Sequence, residues 1–585
     1  MSRTRIIFIA IIGVTLCIIA GAIAFQLVNN ANDDEGILSS GDTAVSTPIP
    51  EGTILVSLDS SNTKRNWLDQ VVAEFNNGGH TASGGQAIVV EVSHVTSGGS
   101  KDAILDGTSQ PTAWSPGDSS WVDQANDAWQ QQYNKPIASE ACAPTIYAPL
   151  GFAMWRPMAE ALGWPDTPIG WDTIVELAAD PEGWGSYGRP EWGQFRFGHT
   201  HPAYANSGLL SMTGFVYGIA GKASTLTAAD IYAPEVEEAM RALEQNTSKY
   251  GIQAPALLDL MAREGPSYLH AAAVPEADTV KMNVERGDEL TFPLAFIFPS
   301  GGTIWADHPY CILDNADWVS DEQAEAAAIF RDYLLAKEQQ ALAIDNYLRP
   351  LDASIALHAP LDLDNGTDPR ANTATIAALP SPNNEIGTAV IDLFAITKRK
   401  ATILVVLDVS GSMEGDKIKT ARDATVEFLG RLDPDDEVGL MIFSDIVNIL
   451  QEPERVGNVV EGLSQRVSGL LANGNTALYG SVCDAAKAIE KMQFADEENG
   501  ETRLYGIVLL SDGEDTIGRP TENQMFATCL PANAEADGVK IFPIAFGEGA
   551  DTDVLTRIAN VTGGRMFSAD LASISSVYRS ISAEQ

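Results

Sequence analysis

The sequence predicts an α/β protein: two folded units behind an apolar N-terminal segment. Three observations carry that expectation. Thr402-Ile403-Leu404-Val405-Val406-Leu407 runs without a charge into Asp408-Val409-Ser410-Gly411-Ser412. This is the pattern of a central parallel strand, buried on both faces, that delivers a polar loop to the carboxyl end of a sheet. All 11 tryptophans lie between residues 52 and 356, so the two regions are compositionally distinct. Ile6 to Phe25 is a run of 20 residues with no charge, long enough to cross a bilayer as a helix.

With 585 residues the chain has room for two or three domains, and 45% hydrophobic residues can fill large cores. The formal charge is −43, from 79 acidic and 36 basic residues. Nucleic-acid binding is excluded on that balance, because phosphate contacts need clustered cations. The acidic residues form no long run, and they read as a solvated surface.

In chain order, residues 1–27 form a transmembrane anchor or signal segment. Arg3 and Arg5 precede the apolar run and Asp33, Asp34 and Glu35 follow it. A basic flank of this kind keeps the N-terminus cytoplasmic and the bulk of the chain extracytoplasmic, in a single-pass topology. Ala22-Ile23-Ala24 keeps cleavage as a signal peptide open. Residues 28–50, rich in Asn, Asp, Gly, Ser, Thr and Pro, read as a flexible linker.

Residues 51–356 form the first globular unit, with strands at Ile54 to Leu58, Ala87 to Val92 and Thr145 to Met154. Three polar loops stand out in it: Ser60-Ser61-Asn62 after the first strand, Ser97-Gly98-Gly99-Ser100 opening a helix, and Asn206-Ser207-Gly208 opening another. Backbone N–H groups at helix starts favour a small anionic or carboxylate-bearing solute. Each loop is equally an ordinary helix cap. His199 and His201 lack a third metal ligand nearby and read as structural. Residues 357–396 read as a polar, proline-containing linker with a connecting helix from Asn384 to Ile396.

Residues 397–585 form the second unit. Asp408, Ser410 and Ser412 alternate along the first loop, Thr476 follows Gly474-Asn475, and Asp512 follows a second apolar strand, Leu504 to Leu510. Carboxylate and hydroxyl oxygens without nitrogen or sulfur suit Mg²⁺, with Mn²⁺ or Ca²⁺ as alternatives. No nucleophile or general base accompanies them, so the chemistry is binding and not catalysis. Ile418, Ala421, Thr425, Phe428 and Leu432 fall at helical spacing after the metal loop. Glu437 to Phe443 and Lys540 to Phe546 read as strands, Thr552 to Ala559 and Ser573 to Ser582 as helices.

The Asp-x-Ser-x-Ser pattern with its later Thr and Asp resembles the metal-ion-dependent adhesion site of the von Willebrand factor type A (VWA) domain, a doubly wound, Rossmann-like fold. The resemblance implies that Asp408, Ser410, Ser412, Thr476 and Asp512 hold the ion, and that a protein or matrix ligand presents a carboxylate to it. The earlier unit resembles bacterial extracellular solute-binding proteins. Ala148-Pro149-Leu150-Gly151-Phe152-Ala153-Met154-Trp155 looks like a first hinge strand, Phe298-Pro299 through Asp307-His308-Pro309-Tyr310 like the return crossing, and Tyr347-Leu348-Arg349-Pro350 like the family's ending. That implies a two-lobed, type II periplasmic-binding-protein-like domain with a ligand cleft that those three loops could line. Relatives carry a Glu after a strand where Glu276 stands, so it is either a ligand-binding carboxylate or a surface one. Two functions follow: a membrane-anchored surface protein engaging a partner through the metal, or a tethered solute receptor of an ABC-type importer.

Of the five cysteines, Cys142 and Cys311 fall in the first unit, Cys483 and Cys529 in the second. Disulfides and buried free thiols both fit, with Cys483 and Cys529 expected on helices.

Overall fold

A computed structural model describes residues 52–581, apart from short stretches of which the longest is 531–538. The anchor expected at 6–25 and the linker at 28–50 lie outside the described residues. Among those described, no helix is long and apolar enough to cross a membrane.

Among the described residues, ten strands build the first unit: β1 (Ile54–Ser61), β2 (Ile88–Val95), β3 (Ala113–Ser115), β4 (Ala148–Trp155), β5 (Phe197–Thr200), β6 (Thr247–Gly251), β7 (Ala271–Pro275), β8 (Leu294–Ile297), β9 (Trp305–Ala306) and β10 (Cys311–Ile312). They form two lobes. Lobe 1 holds a sheet in the order β10-β3-β1-β2, in which β10 alone is antiparallel to its neighbour. Lobe 2 holds a sheet in the order β6-β5-β7-β4-β8. The chain leaves lobe 1 through β4, which is buried along its whole length, and returns through β9, which pairs with the start of β4. The return strand β10 then adds to lobe 1, so that lobe is assembled from two separated pieces of chain. A disulfide between Cys142 and Cys311 joins those pieces.

The second unit is a six-stranded sheet in the order β13-β12-β11-β14-β15-β16, with β11 (Ala401–Asp408), β12 (Glu437–Phe443), β13 (Val447–Arg455), β14 (Leu504–Ser511), β15 (Lys540–Phe546) and β16 (Phe567–Ala569). All pairs are parallel except the edge pair β12–β13. Its central strand β11 has no exposed residue, as its unbroken apolar run requires. The helix after the metal loop spans Asp416–Leu429, so Leu432 falls beyond it. A second disulfide joins Cys483, on the helix Leu478–Asn499, to Cys529, which sits just past the helix Glu522–Thr528 and not on it. Ile574, Val577, Tyr578 and Ile581 are helical and buried.

The main correction concerns residues 357–396, which are not a free linker. Leu361, Ala371, Leu379, Ile386, Val390, Leu393 and Phe394 are buried. The helix Asn384–Thr397 lays Ile386, Ala389, Val390 and Leu393 into the core of lobe 2. The polar residues that suggested a tether are held in turns before the helix, Thr367 buried against Glu276, or lie on the outer face of the helix, as Asn384, Glu385, Thr388 and Asp392 do. Only Lys398-Arg399-Lys400 separate that helix from β11.

Candidate metal centre and interlobe cleft

Parallel pairing places Leu407 beside Leu510 and Asp408 beside Phe443, so β11 and β14 end together and deliver Asp408, Ser511 and Asp512 to one edge of the sheet. Asp408 is fully buried. One of its oxygens accepts the Ser410 N–H at 2.8 Å and the other the Ser511 hydroxyl at 2.8 Å. The Ser410 and Ser412 hydroxyls lie 2.9 Å apart, and Ser412 donates to Asp512 at 2.7 Å. The other Asp512 oxygen accepts from the Lys417 ammonium at 2.6 Å. Four of the five expected ligands therefore form one connected set of oxygens.

Thr476 reaches the same place through its backbone. Gly411 N–H donates to Gly474 O at 2.9 Å, and Asn473 N–H donates to Val409 O at 2.8 Å, stitching the Thr476 loop to the metal loop. The Thr476 N–H in turn donates to the Thr516 hydroxyl at 2.8 Å. Gly474 adopts φ +85° against the Asp445 carboxylate, a conformation and a space that suit glycine.

Burial pushes the Asp408 carboxyl up to about 6; hydrogen bonds from Ser410 and Ser511 oppose the shift, and the Asp512 charge adds to it. Two carboxylates and three hydroxyls at one sheet edge fit a hard divalent cation by donor chemistry. Among the described residues no cluster of three His, Cys, Asp or Glu side chains could hold a metal, so hydroxyls have to complete this set. Sequence reasoning assigned no role to Ser511 or Lys417. Ser511 was visible as the polar residue ending an apolar strand; a lone lysine one turn into a helix gave no signal.

The cleft expectations fare unevenly. Ser60 and Ser61 are the last residues of β1 and do not follow it. The Ser61 hydroxyl accepts from the buried Lys64 ammonium at 3.2 Å and lies 3.1 Å from His308 Nδ1. Lys64 also donates to Ser115 O at 2.8 Å. Burial drives its ammonium well below the usual lysine range, against the opposing pull of Asp307. Ser97 opens a helix capped by Thr96, and its hydroxyl accepts the Gly117 N–H at 2.9 Å. Asn206, the first residue of its lobe 2 helix, accepts from the Trp121 indole of lobe 1 at 2.7 Å. The two lobes thus meet directly across that bond.

Ser207 bonds Thr200 within lobe 2 at 2.8 Å. Glu276 is neither a surface carboxylate nor a free ligand group. It is fully buried and pairs with Arg349 through two bonds of 2.6 and 2.7 Å, with Thr367 donating a third. His199 is likewise spoken for, lying 3.1 Å from Glu244. Two carboxylates, the buried Asp118 and the half-buried Asp307, had no role in the sequence reading. Asp307 accepts from Ser119, and burial, then the Asp307 charge, raises Asp118 to about 7. The Ser97 hydroxyl and the Asn206 side-chain oxygen, expected at helix starts facing an anion, are instead acceptors for the Gly117 N–H and the Trp121 indole.

The family model for bacterial extracellular solute-binding proteins matches residues 56–349, and that for the von Willebrand factor type A domain matches residues 402–579. Similar curated proteins include a UPF0353 protein of Mycolicibacterium gilvum (24% identical over 193 residues, 30% of this chain and 57% of that one). Bovine inter-alpha-trypsin inhibitor heavy chain H4 is 34% identical over 166 residues, 28% of this chain and 18% of that one. The chain thus spans less than two thirds of the length of these relatives. Among solved structures, a von Willebrand factor type A protein from Catenulispora acidiphila aligns at TM-score 0.27 and 18% identity, covering 32% of this chain and 42% of that one. The periplasmic binding protein AfuA from Actinobacillus pleuropneumoniae aligns at TM-score 0.39 and 13% identity, covering 59% and 97%. Residues 56–349 make up half of the 585-residue chain, and the protein belongs to the bacterial extracellular solute-binding protein family, with a von Willebrand factor type A domain joined to its C-terminal side.

Proposed function

We propose that this chain is a membrane-anchored, extracytoplasmic binding protein that engages a protein or matrix ligand through a divalent cation at Asp408, Ser410, Ser412, Thr476 and Asp512. The observation that carries the reading is the connected oxygen set of Asp408, Ser410, Ser412 and Asp512 at the carboxyl end of a parallel sheet. Bound there, Mg²⁺ would supply a Lewis-acidic position that a partner carboxylate can fill. Asp408 anchors the loop through the Ser410 N–H, Ser511 orients its second oxygen, and Lys417 balances Asp512. No general base or activated nucleophile stands among these groups, so the reading is recognition and not turnover. Anchoring rests on the charge-free run from Ile6 to Phe25.

Calorimetry of the full chain with Mg²⁺ and Mn²⁺ tests the site. Wild type should bind one ion with modest affinity, and Asp408→Ala should lose it while unfolding at a similar temperature. Binding unchanged in that variant would refute the assignment. The second reading, a tethered solute receptor for an importer, is favoured by the two-lobed architecture. A solute screen by tryptophan fluorescence separates the two, since all 11 tryptophans lie in that region. A ligand at about 100 times its dissociation constant would also add about 2.7 kcal/mol of stability.

A further inference from the structure

The segment 377–400 touches every moving part of the molecule. At the hinge, Thr303 N–H donates to Ala377 O at 3.0 Å and Leu379 N–H donates to Thr303 O at 2.9 Å. Thr303 itself donates to Leu150 O of the crossing strand β4. At lobe 1, the Ser381 hydroxyl donates to Asp118 at 2.9 Å, one helix turn from the Trp121 that bonds Asn206 of lobe 2. At lobe 2, Ile386, Val390 and Leu393 sit in the core, and Phe394 packs edge-on against His199, His201 and Tyr250. Arg241 of lobe 2 donates to Ile396 O at 3.3 Å.

The far end is equally fixed. Lys398 pairs with the buried Asp436 at 3.1 Å, and the same carboxylate accepts the Ala401 N–H at 2.8 Å. Arg399 donates to Arg503 O at 3.1 Å and Leu504 N–H donates to Lys400 O at 2.8 Å. The joint is therefore clamped to the bases of both strands that flank β11.

We propose that this segment is a strap that makes lobe closure and the attitude of the metal-loop domain a single event. Opening the lobes has to break either the Ser381–Asp118 bond or the Thr303–Leu379 pairing. If it breaks the first, the strap stays in the lobe 2 core and carries β11 away from lobe 1. If it breaks the second, Ser381 still ties the strap to lobe 1 while its helix stays in lobe 2, and the joint to β11 is pulled between the two. A hinged pair of lobes joined to a further domain by three clamped residues has no slack in which to move independently. The inference does not depend on the metal reading, because it concerns the strap and its contacts and not the metal loop.

Hydrogen exchange on the full chain tests it, with Ser381→Ala and Asn206→Leu as the two variants, neither of them in the joint. The strap amide of Leu379 and the joint amides of Ala401 and Leu504 are the reporters. Both variants should speed exchange at Leu379 and, together with it, at Ala401 and Leu504, by tenfold or more. Faster exchange at Leu379 with Ala401 and Leu504 unchanged would overturn the proposal, as would no change anywhere in either variant. Mn²⁺ titration of the same samples reports separately on the metal site. A wild type that binds no Mn²⁺ would end the metal reading and leave the exchange result standing.

Discussion

Asp118 shows how a single side chain records its surroundings. It is fully buried, its oxygens hold Ser120 and Ser381, and it faces the charge of Asp307. Its folded value of about 7 lies above that of an unfolded aspartate. The folded chain therefore holds the proton more tightly than the unfolded one. The contribution of this group is most favourable below about pH 4, declines as pH rises through 7, and is flat beyond. Asp118→Asn keeps an acceptor and removes the charge. It should raise the unfolding temperature at pH 8 and change little at pH 4; an equal shift at both would mean the charge is not responsible. The Glu276–Arg349 pair predicts the opposite sign. Arg349→Leu strands a buried carboxylate and should cost about 3–5 kcal/mol, read as a lower midpoint in urea. Asp408, Ser410, Ser412 and Asp512 were legible residue by residue as oxygens brought to one sheet edge, because the pattern places them at the ends of two apolar strands. Lys64, Asp118 and Asp307 were not, because a buried cluster of charges drawn from distant segments leaves no periodic trace in the sequence.

At the scale of elements, the strands of the metal-loop domain were the most legible, β11 and β14 above all. Burial on both faces forces an uninterrupted apolar run, and in a stretch this short little else produces one. The connecting helix was legible as a helix and illegible as a part of lobe 2. Ile386, Val390, Leu393 and Phe394 form its apolar stripe, yet a stripe does not say what it packs against. Phe394 is fully enclosed by His199, His201 and Tyr250. Phe394→Ala should therefore cost about 3–5 kcal/mol. The loss should appear in the unfolding of the solute-binding unit, followed by tryptophan fluorescence, because the type A domain holds no tryptophan. A variant as stable as wild type would mean the helix is only draped on the lobe.

For the whole molecule, the working boundary moves. A solute-binding unit cut at residue 356 leaves the lobe 2 surface that Ile386 to Leu393 covers open to water. Ending the chain at Thr397 keeps it covered. Residues 52–397 should be soluble and melt in one sharp transition, whereas residues 52–356 should aggregate or melt lower. Equal behaviour of the two would show that the helix adds nothing to the lobe. Limited proteolysis of the full chain should likewise spare 384–397, since cleavage there requires unpacking a core.

The Cys142–Cys311 bridge has a consequence for biosynthesis. Its two halves stand 169 residues apart, and all five strands of the lobe 2 sheet lie between them. A chain that emerges N-terminus first presents Cys142 long before its partner arrives. The first cysteine has to stay reduced while lobe 2 is made, and lobe 1 cannot close its sheet until β10 appears. Cys483 waits for only 46 residues. Oxidation of the second domain is therefore a local affair, whereas that of the first is an appointment kept across an entire folding unit. A pulse-labelled chain should show the later bridge forming within moments of its synthesis and the earlier one only after the last strand of the lobe 2 sheet has been made.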